Sequence, residues 1–162
     1  MSLLRLIIVL VIQVLILNQI HLFGYVTPIF VGYVLLCLPK KTSRIALLLW
    51  GFIVGLLFDI FSNTAGMATA ACTALGMFRN SLMSPFTPRD TDDMFHPTVI
   101  ALGTTRYFIY SLSSMFVVHA IFYGLDALSL HDWQLTLLSI IGSTIFAALL
   151  CLFAELIVRK RK

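Results

Sequence analysis

The sequence predicts an all-α integral membrane protein, folded as one compact bundle of six transmembrane helices over residues 1–162. Three observations lead there. Apolar residues fill 60% of the 162 positions and charged residues only 11%, against roughly 45–50% and about 25% in an average soluble chain. The apolar residues run in long unbroken stretches, not in the every-second-residue alternation of a transmembrane barrel. All 11 Lys and Arg residues fall on one side once six spans are drawn. Six spans of about 20 residues use about 120 positions and leave roughly 42 for every tail and connection. No separate soluble domain fits, which excludes a cytosolic enzyme and a single-pass receptor.

The first span reads over residues 3–20, followed by the turn-prone His21 to Thr27. A short second span covers 25–38, where Pro39, Lys40 and Lys41 stop it. The third covers 45–61, and the polar turn Ser62, Asn63, Thr64 leads to a fourth over 66–83. That fourth span is the least apolar, diluted by Ala, Thr and Gly and interrupted near its end by Arg79 and Asn80. Ser84 to Thr105 is the one long connection, with Pro85, Pro88 and Pro97 and the acidic Asp90, Asp92 and Asp93. The fifth span covers 107–128, and a loop with His131 and Asp132 leads to the sixth over 133–158. Arg159, Lys160, Arg161 and Lys162 close the chain.

With the N-terminus inside, the cytoplasmic segments hold Arg5, then Lys40, Lys41 and Arg44, then Arg79, Arg89 and Arg106, then the basic tail. The outer loops hold no Lys or Arg, the positive-inside pattern of an inner-membrane protein. The net charge of +4 is therefore topology information, because the basic residues never gather on an aromatic-studded soluble face that would bind nucleic acid. Arg5 before an apolar run also suits a signal peptide, but Leu17, Asn18, Gln19 and Ile20 lack the small-residue cleavage pattern.

Gly51, Gly55 and Asp59 stand four residues apart in the third span and so share a helix face. Glycines at this spacing let a second helix approach to backbone contact. That face serves either packing within the chain or a dimer seam; Gly66, Ala70 and Ala74, spaced likewise in the fourth span, favour the first. Asp59 lies near the outer end of its helix, where the macrodipole disfavours a carboxylate, so it needs a partner. The unpaired N–H groups that begin the fourth span are the nearest candidates for a cap; an outside ligand or partner is the other reading. His119, midway along the fifth span, is read as hydrogen-bonded to a neighbouring helix, with Ser111, Ser113 and Ser114 as nearby polar groups; Asp126, about 10.5 Å further along, is too far for direct contact. The His119 and Asp126 roles stay open, with a proton relay as the other reading. Cys37, Cys72 and Cys151 all fall in apolar stretches without metal-ligand spacing and are read as packed thiols. His21, His131, Asp126 and Asp132 match no zinc signature. Catalytic motifs such as G-x-S-x-G, H-E-x-x-H and the P-loop are missing from the sequence, so neither an enzyme nor a cofactor is expected. In the long inner loop, Arg89 and Asp90 within Phe86, Thr87, Pro88, Arg89, Asp90 read as a solvated connection or a cytoplasmic docking loop.

The run from Gly51 to Gly66, GFIVGLLFDIFSNTAG, resembles the signature of the rod-shape-determining membrane protein family MreD, in which a glycine-containing helix is followed by an aspartate and then a glycine after the turn. Asn18 to Gly24 and Phe86 to Asp90 resemble the Bacteroides-like branch of that family. The resemblance implies a non-enzymatic scaffold subunit of the bacterial elongation machinery that binds MreC and works alongside MreB, RodA and the elongation transpeptidase. It also implies a fold similar to the S-components of energy-coupling-factor transporters, which supplies the alternative of a small-molecule binding or transport subunit. The short outer loops, poor in aromatic and charged residues, speak against that alternative.

The charge distribution generates a topology test. In a background without the three native cysteines, a membrane-impermeant thiol reagent should label cysteines placed at Asn63 and Ser129 from outside and leave one at Thr91 unlabelled. Outside labelling at Thr91 overturns the orientation.

Overall fold

The computed structural model describes residues 29–87, 95–127 and 133–160, together with positions 9, 11 and 13. The described residues are helical, without strands. The helices are α1 (Tyr33–Leu36), α2 (Arg44–Ser62), α3 (Met67–Met83), α4 (Val99–Leu102), α5 (Thr104–Asp126) and α6 (Trp133–Lys160). Among the described residues, three helices are long and apolar enough to cross a membrane: Arg44–Ser62, Thr104–Asp126 and Trp133–Ile157. The chain is thus a multi-pass membrane protein. The fourth long helix, α3, has 17 residues, about 25 Å of rise, and buries Arg79 near its end.

Local chemistry sets the helix ends. Ser43 caps α2 by accepting the Ala46 N–H at 3.2 Å. Asn63 ends it in the left-handed region (φ 54°) and donates its N–H to the Asp59 carbonyl. Gly66, at φ 81°, turns the chain into α3 but has no side chain with which to cap it. A 3-10 turn, Ser84–Phe86, follows α3 at Pro85. Gly103, at φ 81° and ψ 157°, lets α4 stop and α5 begin one residue later.

The long helices turn small and polar residues inward and large apolar residues outward, the arrangement expected where lipid is the solvent. On α6, Ser139, Ser143, Ala147, Cys151 and Glu155 stand four apart and are all buried, whereas Trp133, Ile141, Phe153 and Ile157 are exposed. α3 packs against both α2 and α5, and α5 against α6. The α2–α3 joint is the tightest. A Cβ on Gly51 would stand 2.5 Å from the Cys72 carbonyl oxygen, one on Gly55 2.5 Å from Thr69 Cα, and one on Gly76 2.6 Å from the Leu47 carbonyl oxygen.

Two expectations need correction. The face of α3 that meets Gly51 and Gly55 is Ala68, Thr69, Cys72, Thr73 and Gly76, not Gly66, Ala70 and Ala74. Those three instead line an apolar groove of about 600 Å³ beside the joint, with Leu48, Phe52 and Leu56. Both stripes are small, and size alone does not say which one faces the neighbouring backbone. The second correction concerns the span over 25–38. Across its described part the chain is not one continuous α-helix but a short run of tight turns around α1, with bonds such as Tyr33 N–H to the Phe30 carbonyl and Leu38 N–H to the Leu35 carbonyl, and every residue from Ile29 to Leu38 is buried. Fourteen residues as a helix would rise only about 21 Å, short of a hydrocarbon core about 30 Å thick. The segment's broken turns leave the Ile29 and Phe30 amides and the Cys37 and Leu38 carbonyls to be bonded from other elements. Such backbone is tolerated at membrane depth only when protein surrounds it, and here Leu75, Met115, Val118, Ala147 and Cys151 belong to the same cluster. The expected first span falls mostly outside the described residues; Val9, Val11 and Gln13 are helical within it.

The α2–α3 joint sets a stability order. Gly55→Leu and Gly76→Leu should each lower the melting temperature in detergent more than Leu56→Gly, because Leu56 is 41% exposed and its loss costs mainly the helix propensity of glycine, about 1 kcal/mol. Equal melting of Gly55→Leu and the parent would contradict the close approach.

Candidate functional site

The short, broken turns of segment 29–40 leave backbone groups at its two ends without partners inside it, and the polar side chains inside the bundle converge on them. At its start, the Ile29 N–H donates to His119 Nε2 at 3.0 Å and the Phe30 N–H donates to Gln13 Oε1 at 2.7 Å. His119 Nδ1 lies 2.8 Å from the Met115 carbonyl oxygen. Because Nε2 must accept from an amide, the ring proton sits on Nδ1 and goes to that carbonyl. His119 is fully buried and stacks on Tyr123 with ring centroids 6.2 Å apart; the Tyr123 hydroxyl is 3.0 Å from Ser143 Oγ, which ties α5 to α6.

At the other end of the segment, Arg79 Nη2 donates to the Leu38 carbonyl and Nη1 to the Pro39 carbonyl, the latter at 3.1 Å. His96 Nδ1 lies 3.3 Å from the Cys37 carbonyl oxygen, and the Lys40 N–H donates to the Phe95 carbonyl at 2.9 Å. Between the two ends, the Tyr33 hydroxyl donates to Glu155 Oε2 at 2.8 Å. Tyr33 also stacks on Phe30 with centroids 5.0 Å apart. The segment is therefore pinned by α3, α5 and α6 together.

Asp59 forms the second polar centre, at the opposite end of α3 from Arg79. It is 5% exposed. Oδ1 accepts from the Thr64 hydroxyl and from the Ala68 N–H at 3.1 Å; Oδ2 accepts from the Thr69 N–H at 2.8 Å and the Thr69 hydroxyl at 2.6 Å. A carboxylate on one helix thus supplies the cap that Gly66 cannot give the next, where the macrodipole welcomes negative charge.

The structure brings Gly51, Gly55 and Asp59 onto one face of α2 against α3, with Gly66 contributing its backbone turn. Arg89 and Asp90 lie outside the described residues, as do Asp92, Asp93, His21, His131 and Asp132. The serines suggested for His119 do not reach it: Ser111 and Ser113 donate to their own helix at Phe108 and Tyr110. A serine in a lipid-surrounded helix finds the carbonyl three or four residues back more cheaply than a neighbour. Sequence reasoning passed over Gln13 and Glu155, and took Arg79 only as a topology charge. A polar residue inside an apolar stretch, and for Glu155 its place at the end of the Ser139, Ser143, Ala147, Cys151 stripe, was the available signal. Among the described residues no three His, Cys, Asp or Glu side chains are placed to hold a metal.

Fold and site together define a multi-pass helical membrane protein whose core contains a short, irregularly turned segment held by buried polar side chains. Compared with protein-family models, with curated proteins and with solved structures, the chain matches none.

Two substitutions test the polar centres. His119→Phe keeps a ring of similar size but leaves the Ile29 amide unpaired, which should cost about 1–3 kcal/mol. Asp59→Ala should cost about 0.5–2 kcal/mol as the loss of a cap. Thermal melts of the purified protein in detergent read both; a His119→Phe protein as stable as the parent would mean that the Ile29 amide finds another acceptor.

Proposed function

We propose that this chain is a non-enzymatic scaffold subunit of a bacterial cell-elongation complex, resembling MreD, seated in the inner membrane with both termini in the cytoplasm. In this reading it binds MreC, works alongside MreB, RodA and the elongation transpeptidase, and supports peptidoglycan synthesis by helix packing. The six-span topology belongs to the same proposal, with residues 3–20 as the first crossing and the buried segment within 25–38 as the second.

One observation carries the reading. The run through which the chain resembles MreD, 51–66, is also the run that builds the closest helix joint and the Asp59 cap. The resemblance therefore rests on residues that cooperate in three dimensions. A scaffold also suits the use of the interior polar groups, since Asp59, His119 and Arg79 all bond to backbone of this chain.

Depletion in a rod-shaped host that depends on the elongation machinery should round the cells, and the protein should co-purify with MreC from native membranes. Loss of shape in an Asp59→Ala strain with normal protein abundance would assign Asp59 a partner contact; loss of both shape and abundance would assign it the structural cap. Normal shape after complete depletion would refute the proposal. A thermal shift with a small molecule, without co-purifying MreC, would replace it with the carrier reading.

A further inference from the structure

Near the Lys40 end of the buried segment, three polar atoms make no hydrogen bond among the described residues: Arg79 Nε, the Tyr107 hydroxyl and the Tyr110 hydroxyl. All three side chains are fully buried. The Tyr107 and Tyr110 rings meet edge to face with centroids 6.4 Å apart, and the Tyr110 hydroxyl lies beside the Arg79 guanidinium outside hydrogen-bond geometry. Tyr107 in turn lies within electrostatic reach of Glu155 and Tyr33. Arg79 gives its terminal nitrogens to the Leu38 and Pro39 carbonyls and to Asn80 Oδ1, and meets no carboxylate among the described residues.

Among the described residues, a buried guanidinium nitrogen and two buried phenol hydroxyls without hydrogen-bond partners would be costly in a dry core. Their common deficit is specific. Arg79 Nε can only donate, whereas each phenol can donate and accept. One small neutral molecule with both capacities completes the set, and a buried water commonly makes about three hydrogen bonds to otherwise unpaired groups. We infer that Arg79, Tyr107 and Tyr110 form an internal water-binding site at the Lys40 end of the buried segment. The site lies against the segment that Arg79 and Glu155 grip from its two sides, so the water belongs to the same brace.

Synchrotron hydroxyl-radical footprinting of the full-length protein in lipid nanodiscs tests this, because the radicals form from the water already in place. Met115 is equally buried in the same core, and its thioether oxidises more readily than a phenol, so it reports the dry interior. Tyr107 and Tyr110 should be modified several-fold faster than Met115. In a Tyr107→Phe variant, which removes one of the water's partners but keeps the ring, modification of Tyr110 should fall at least severalfold. Modification of both tyrosines no faster than Met115 would overturn the site, as would fast Tyr110 modification unchanged by Tyr107→Phe, which would mean access from bulk water. If that variant does not accumulate, the comparison with Met115 in the parent decides.

Discussion

Backbone that leaves the helix inside a membrane bundle must find every hydrogen bond from protein, because the surrounding lipid offers none. That constraint organises this molecule. From Ile29 to Leu38 the chain runs buried through short, broken turns around α1, and the polar side chains deepest in the bundle bond to its two ends. Gln13 and His119 accept its first amides, Arg79 and His96 bind its last carbonyls, and Glu155 holds its tyrosine. Removing any one leaves a buried donor or acceptor bare, which is worse than a core that never contained the pair.

The segment also explains how the helices are allotted to one another. α3 is the central helix, touching α2 on one side and α5 on the other. Its two ends carry the two charged side chains that do most for the backbone. Asp59, reaching across from α2, accepts the first amides of α3, and Arg79, projecting from the last turns of α3, donates to the carbonyls of the segment. Between those ends the contact with α2 is backbone on backbone, through Gly51, Gly55 and Gly76. In lipid, where apolar contact alone gives helices little reason to associate, close packing and polar ties of this kind supply the cohesion.

A scaffold with this construction would be stiff in its interior and smooth outside. The exposed residues, Ile45, Ile60, Phe61, Ile100 and Phe153 among them, include many large apolar side chains, and the small residues left outside the α2–α3 joint, Gly66, Ala70 and Ala74, line an open apolar groove. A partner of the proposed kind would meet helix faces already held in register by the internal brace. On the proposed reading, mechanical rigidity is what the buried polar groups would contribute.

Class and main elements were legible in one dimension. Hydropathy and the one-sided placement of Lys and Arg predicted a membrane bundle, because the bilayer imposes a length and a charge rule that act on each segment separately. The boundaries read for the third, fourth and sixth spans differ from α2, α3 and α6 by no more than two residues. The four-residue spacing of Gly51, Gly55 and Asp59 pointed to a face for the same reason: helix periodicity is local. What depends on two distant segments was not legible. Whether the stripe of Gly66, Ala70 and Ala74 or that of Ala68, Cys72 and Gly76 faces α2, whether residues 29–38 form one helix or broken turns, and which partners His119, Arg79 and Glu155 take are decided by contacts between segments distant in sequence, such as Tyr33 with Glu155. An apolar run reads alike whether it is one continuous helix in lipid or a series of broken turns inside protein, and only the tertiary structure, by supplying partners for its end amides and carbonyls, makes the second form stable.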